Sequence, residues 1–395
     1  MQQEIFITEI KINNVRHLHD VSIPIVKEGG KMKHLILTGK NGSGKTSLLE
    51  AIATFIDISP EDDMPLPAQI QEIKEYEQAK KKSPVWDKEI DLGFNQNKFN
   101  EGDSLSKLVF VKAYFGATRR FILDKPNNIE KVQIPSNVSI KANYSYDFLK
   151  YLVFLRSKLT DASYRQDLEE VKNLEKWFND FESTLKEIFK DDDLRLEYDS
   201  SNLNFNIIQT DKSLFDFNTL SDGYAAILRI LTELMMRMEN KKADAYDVNG
   251  IVLIDEIETH LHIELQKSIL PFLTAFFPKV QFIVSTHSPF ILNSIENAVV
   301  YDLENHILFE DASELSYSGL IEKYFLTSQY SDLMEKKIAQ FETLVNNEKR
   351  TEVENKRMAE LFYDLKTLSP LLSPEMYNRF KFSEKKILRP ISYAL

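Results

Sequence analysis

Gly39-Lys40-Asn41-Gly42-Ser43-Gly44-Lys45-Thr46 decides the reading of this chain, because it matches the spacing G-x-x-x-x-G-K-[ST] of a phosphate-binding loop at every fixed position. Lys33 to Thr38 in front of it reads as a buried strand, and Leu48, Leu49, Ile52 and Phe55 behind it recur at helical spacing. A loop joining strand to helix in this way turns the backbone N–H groups of Asn41 to Lys45 inward on a phosphate, and the positive end of the new helix adds to the field. The expected nucleotide-binding set is therefore Gly39, Asn41, Gly42, Ser43, Gly44, Lys45, Thr46 and Ser47. Lys45 would reach the β- and γ-phosphates and the Thr46 hydroxyl would hold Mg2+, so ATP and Mg2+ are the expected cofactors.

Composition narrows the class. A chain of 395 residues with 43% hydrophobic residues can bury a sizeable core, and no apolar run approaches the length of a membrane span. The longest, Ile269 to Phe277, is interrupted by Pro271 and Thr274. The first residues lack the order of a signal peptide, and the chain has no cysteine for a disulfide or a thiolate zinc site. Both features suit a soluble cytoplasmic protein with no membrane partner. A formal net charge of −12 argues against a surface coated for unspecific DNA binding, although a local basic groove for nucleic acid stays open.

Outward from the loop, residues 4–25 alternate as a strand hairpin with Asn13-Asn14-Val15-Arg16 at its turn. Residues 61–107 turn polar and proline-bearing and read as an inserted surface segment, with one short helix over Ala68 to Lys82. Leu108 to Val111 restores a strand. Arg119 and Arg120 follow on a loop, where the readings are a solvated pair or a contact with phosphate or a neighbouring subunit. Residues 146–190 read as a compact helical arm whose stripe of Val171, Leu174, Phe178, Phe181, Leu185 and Ile188 is core packing. Leu194 to Tyr198 and Leu203 to Ile208 make a second hairpin, and Leu220-Ser221-Asp222-Gly223-Tyr224 then opens a helix with Ser221 as its cap. Two continuous apolar strands end in chemistry-bearing residues: Gly250 to Ile254 runs into Asp255-Glu256, and Val280 to Val284 runs into Ser285-Thr286-His287. Strands of that kind are buried on both faces of a parallel sheet, and ligands bind at their carboxyl ends.

Four stations in this order, the phosphate loop, Leu220 to Gly223, Asp255-Glu256 and Ser285-Thr286-His287, resemble the head of an ABC-type ATPase over residues 4 to about 310. The wording Ile254-Asp255-Glu256-Ile257-Glu258-Thr259-His260-Leu261-His262, together with Ser285 to Phe290 and Tyr114 to Arg119, looks like the compact AAA ATPases of bacterial anti-phage systems. These include OLD-family proteins and the ATPase subunits of Septu-like and PARIS-like systems, with RecF as a more distant cousin. The implied fold is α/β: a P-loop NTPase with an ABC-ATPase-like head, a mainly parallel sheet, N-terminal antiparallel strands, an inserted helical arm and a C-terminal helical region. The head would span 1–317 and the helical region 318–395. Asp222 and Tyr224 stand where transporters carry Gly and Gln, and no transporter glutamine loop is found, which weighs against a transporter subunit.

The resemblance implies roles for individual residues. Asp255 would complete the Mg2+ shell with Thr46, Glu256 would polarise the attacking water, and His287 would contact the γ-phosphate. Arg16 would face the nucleotide. Ser221 and Gly223 would close over the γ-phosphate held by Lys45 of another chain, so a homodimer or higher homo-oligomer is expected. His260 and His262 are expected to orient and pack rather than bind metal. No Asp-x-Asp pair follows His287, so no nuclease activity of the chain's own is expected. The implied function is an ATPase sensor or scaffold that controls an effector in trans, expected to be a nuclease. The alternative is a RecF-like ATP-dependent DNA-binding repair factor. The C-terminal apolar positions Phe341, Leu344, Leu361, Phe362, Leu365 and Leu368, and the basic run Arg379, Lys381, Lys385, Lys386 and Arg389, are expected to dock a neighbouring subunit or that effector.

Overall fold

The computed structural model describes residues 4–27, 29–57, 89–96, 110–135, 138–210, 214–239, 248–309, 332–347, 349–369 and 374–388. The chain forms two compact units, Met1–Leu320 and Ile321–Leu395.

In the first unit, β1 (Ile7–Val15) and β2 (Leu18–Pro24) form the N-terminal antiparallel hairpin. Then come β3 (His34–Thr38), α1 (Lys45–Asp57), β4 (Ile90–Phe94) and β5 (Phe110–Phe115). The arm follows as α2 (Phe148–Arg165) and α3 (Leu168–Phe189), and then β6 (Arg195–Asp199), β7 (Asn204–Ile208) and β8 (Phe215–Asp216). α4 (Asp222–Glu239), β9 (Asn249–Ile254), α5 (Ile263–Phe276), β10 (Val280–Ser285), the short α6 (Pro289–Leu292), β11 (Ala298–Asp302) and β12 (Ile307–Phe309) complete it.

The central sheet has the order β12-β11-β3-β10-β9-β5 and is parallel throughout except for the edge strand β12. Its inner strands β3, β9 and β10 are buried at every position, which is why their sequences run apolar without alternation. The fold is thus an α/β P-loop NTPase with an ABC-ATPase-like head: a mainly parallel sheet, an antiparallel N-terminal sheet and an inserted helical arm.

Two boundaries differ from the sequence reading. The segment 61–107 is not wholly an insertion, since β4 lies within it and pairs antiparallel with β1, making a sheet of order β2-β1-β4. Ile90, Leu92 and Phe94 alternate inward and join the core shared with α1, but charged and proline-bearing flanks hide five residues of alternation. The short helix expected over 68–82 lies outside the described residues. β5 also runs on through Phe115, past the Val111 at which the sequence reading ends the strand. A charge inside that strand, Lys112, is accommodated by an ion pair with Asp57 at 3.0 Å.

Two buried polar groups sit inside apolar strands, and the first of them joins the two sheets. Gln281 accepts the Ile7 N–H at 2.8 Å and donates to the carbonyls of Ile7 and Lys33 at 2.9 and 2.8 Å, so it ties β1 to the middle of β10. Burial pushes His34 down to about 4, and the resulting neutral imidazole accepts the Phe282 N–H at 3.1 Å.

The arm begins and ends on recognisable caps. Gln166 closes α2 in the left-handed region, Asp167 accepts the Glu170 N–H at the start of α3, and Lys190 closes α3 at φ 53°. The stripe expected to be core packing meets an aromatic cluster: Phe181 stacks on Trp177 at 5.5 Å and lies edge-on to Phe148 at 5.4 Å, and Phe178 stacks on Phe205 of β7 at 5.9 Å. At the arm's base Phe189 stacks on Tyr224 at 4.2 Å, so the aromatic residue that replaces the transporter glutamine packs the arm onto α4.

Among the described residues the second unit is a three-helix assembly of α7 (Asp332–Asn346), α8 (Glu352–Leu368) and α9 (Pro374–Leu388). Thr351 and Glu354 form a reciprocal capping box at the start of α8. Phe341, Leu344, Leu361 and Leu365 do not need an outside surface, because they bury against one another with Ile338, Met376 and Phe380. The basic run is likewise partly engaged within the unit. Arg379 makes a two-pronged pair with Glu342 at 3.0 and 2.7 Å, Lys381 meets Glu384 at 2.6 Å, and Lys386 donates to Asn346. Phe341, Leu344, Leu361 and Leu365 are therefore not free to dock a partner, Phe362 packs part-buried against the same core, and Arg389 lies outside the described residues.

Candidate nucleotide-binding site

The site assembles at the carboxyl ends of β3, β9 and β10, which lie side by side with Val284 opposite both Ile36 and Ile254. The loop after β3 requires its glycines. Gly39, Gly42 and Gly44 have φ of 130°, 84° and 98°, where a side chain is strained. A Cβ at Gly39 would stand 2.8 Å from Ser43 Oγ, and one at Gly44 would stand 2.9 Å from Leu18 Cδ1 and 3.3 Å from His17 Cε1. The β1–β2 turn therefore lies against the loop. Arg16 sits in that turn at φ 53° with its side chain exposed.

Lys45 arches back over the loop and donates to the carbonyls of Gly39 and Lys40 at 2.8 and 3.0 Å. Burial holds its ammonium below the usual lysine range against the opposing pull of Asp255, Glu256 and Glu258. Thr46 Oγ1 donates to Asp255 Oδ2 at 2.8 Å, joining the first turn of α1 to the end of β9. The other oxygen of Asp255 accepts from Ser285 Oγ at 2.5 Å, and the same serine hydroxyl accepts the Glu256 N–H at 2.8 Å. Asp255, Glu256 and Ser285 thus form one hydrogen-bonded unit across β9 and β10.

Glu256 occupies the left-handed region at φ 46°, an uncommon conformation for a residue with a side chain. Arg119 braces the turn from behind. Its guanidinium donates to the carbonyls of Gly116, Asp255, Glu256 and Ile257 at 3.3, 2.7, 2.8 and 3.3 Å. Burial lowers it to about 10, still charged at neutral pH. Neither reading of Arg119 from the sequence holds, since it is a buried support rather than a solvated or phosphate-facing group; Arg120 is exposed.

Beyond β10, Glu258 receives Thr286 Oγ1 at 2.7 Å and the His287 N–H at 2.6 Å. The His287 ring is held below the ordinary histidine range, first by burial and then by Lys45, which leaves it neutral at pH 7. Its Nε2 is buried without a hydrogen-bond partner, and so is Ser43 Oγ in the loop.

These observations test the fit of ATP and Mg2+. The glycine cradle, the buried lysine and two orphaned polar atoms suit a polyphosphate, and orphaned groups of this kind call for a partner. The pair of hard oxygens from Thr46 and Asp255 suits Mg2+, which takes one or two protein ligands and completes its shell with water and phosphate. Asn41 and Gly42 are exposed on the loop, and in the first turn of α1 Thr46 is exposed while Ser47 is buried. Ser221 and Gly223 stand at a different place: Ser221 is exposed at the start of α4, and Gly223 packs beneath the loop after β9, where a Cβ would approach the His260 carbonyl at 3.1 Å. His260 and His262 are both exposed, so neither packs as expected. The sequence reading quoted Glu258 and Ser285 without a role. Their signal was adjacency to Asp255-Glu256 and His287, but the partners lie 28 to 30 residues away in the chain.

The strand-loop-helix cradle and the acid-bearing strand end beside it define a P-loop NTPase with an ABC-type head. Residues 35–293 match the family described as "AAA domain, putative AbiEii toxin, Type IV TA system", and the chain belongs to that family. Among curated relatives, "Septu protein PtuA" of Bacillus mycoides is 26% identical over 83% of this chain and 45% of its own length. "Retron Ec83 probable ATPase" of Escherichia coli is 30% identical over 40% of this chain and 28% of its own length. The chain thus spans less than half the length of these relatives. The solved "SMC head domain from Thermotoga maritima" superposes with a TM-score of 0.36 at 13% identity over 75% of this chain and 94% of that one, which adds nothing to the fold described above. Among the described residues no helix is long and apolar enough to cross a membrane.

Proposed function

We propose that this chain binds ATP with Mg2+, hydrolyses it between two copies of itself, and uses that cycle to control a partner effector, a nuclease, in anti-phage defence. The observation that carries the reading is the Thr46–Asp255 contact at 2.8 Å beside a glycine cradle, with His287 Nε2 buried and unpaired beyond β10. Lys45 would leave the loop carbonyls for the β- and γ-phosphate oxygens, as a point charge suited to them. Glu256 would accept a proton from an attacking water, and the neutral His287 would meet a γ-phosphate oxygen through Nε2–H. Bound Mg2+ would neutralise charge developing on the phosphate oxygens. The exposed Ser221 at the start of α4, with the Gly223 amide behind it, is suited to closing over a second copy's loop. A place in a defence system is supported by likeness to a Septu protein.

Binding of a fluorescent ATP analogue in the presence of Mg2+ tests the first step. Lys45→Ala should weaken it at least about tenfold, because a charge-assisted phosphate contact is removed. Unchanged affinity in a folded Lys45→Ala protein would remove this loop from nucleotide binding.

A further inference from the structure

The geometry points to Glu258 as a positioning residue for hydrolysis: it clamps the main chain of His287 so that the imidazole faces the phosphate. This rests on the ATP-hydrolysis reading above and deepens it. The two carboxylate oxygens of Glu258 are each taken by one group beyond the end of β10. One accepts the Thr286 hydroxyl at 2.7 Å and the other the His287 N–H at 2.6 Å, so the side chain grips consecutive residues like a fork. The grip continues outward, because Thr286 Oγ1 accepts the Ser288 N–H at 2.9 Å and Ser288 Oγ meets Gln266 of α5 at 2.6 Å. Together these bonds fix where β10 ends and in which direction His287 departs.

The His287 ring has Nε2 buried and without a hydrogen-bond partner. A free imidazole on a mobile turn would lose this orientation, and a displacement of about 1 Å at a reacting group can cost on the order of 100-fold in rate. Glu258 also follows Glu256 by two residues in a turn tied to β10 by the Ile257 N–H to Ser285 carbonyl bond at 3.0 Å. Base and phosphate contact are therefore set by one rigid turn, and a shift of either carries the other.

The test is a double-mutant cycle on the full chain, reading kcat for ATP and affinity for a non-hydrolysable ATP analogue. Glu258→Ala should lower kcat on the order of 100-fold while affinity for the analogue changes less than about threefold. Adding it to His287→Ala should lower kcat no further than His287→Ala alone, because Glu258 acts through that ring. Glu258→Gln should recover most of the rate, since an amide oxygen still accepts the His287 N–H and the Thr286 hydroxyl can turn to accept from the amide. Losses that multiply in the double variant, or full activity in Glu258→Ala, would overturn the inference. If Glu258→Ala does not fold, Glu258→Asp, one methylene too short for the grip, takes its place in the same cycle and is judged by the same two outcomes. A wild-type chain that neither binds nor turns over ATP would sink the hydrolysis reading itself, a different result from either.

Discussion

Glu256→Gln should leave affinity for ATP intact and lower turnover on the order of 100-fold or more, because the phosphate loop is untouched while the proton acceptor is lost. The variant is nearly isosteric, so the hydrogen bonds that define the turn survive: the Glu256 N–H still reaches Ser285 Oγ, and the Glu256 carbonyl still receives Arg119. ATP should then hold the protein as a stable dimer, visible by light scattering as a doubling of mass that reverses when nucleotide is removed. A turnover rate equal to wild type would take Glu256 out of the chemistry.

Glu233→Ala should destabilise the first unit by about 3–5 kcal/mol, the range for removing one partner of a buried ion pair. Glu233 and Arg237 are 1% and 4% exposed on α4, paired at 2.7 Å, with Arg229 also within 3.3 Å of the carboxylate. The same carboxylate accepts the backbone N–H groups of Tyr144 and Ser145 at 2.6 and 2.8 Å. Arg237 in turn donates to the carbonyls of Lys112, Ser139 and Ala142. Truncation takes the carboxylate from the buried Arg237 and the partly buried Arg229 and leaves the Tyr144 N–H without its acceptor, and it loosens the helix that begins with Ser221-Asp222-Gly223 from β5 and the 139–145 segment. Urea titration of the purified variant measures the loss, and a shift under about 1 kcal/mol would show that water replaces the carboxylate without cost.

What the sequence disclosed follows from how far each signal reaches along the chain. The phosphate loop and the strands ending at Asp255 and Ser285 were legible because their evidence is local: fixed glycines, and apolar runs with no alternation. β4 was missed because its alternating residues are too few to stand out between charged neighbours, and its partner β1 lies some 80 residues earlier. Arg119 was misread for a related reason. An arginine is usually solvated, and nothing near it in sequence says that its guanidinium will meet carbonyls 136 to 138 residues away. Gln281 sits inside a run that reads as purely apolar, yet it supplies the bonds between two sheets. In the second unit, amphipathic spacing showed that Phe341 and Leu361 needed a surface but not whose, and their own neighbouring helices supply it.

The central claim is that the hydrolytic site is completed by a second copy, with the phosphate loop from one chain and the Ser221-Gly223 segment from the other. Co-expression of two differently tagged chains, one carrying Lys45→Ala and the other Ser221→Arg, measures this most directly after the mixed dimer is isolated by both tags. Each variant alone should be inactive. The mixed dimer retains one interface with an intact loop facing an intact Ser221, and it should recover up to about half the wild-type ATPase rate if the two sites act independently. A verified mixed dimer with no more activity than its parents would contradict the account.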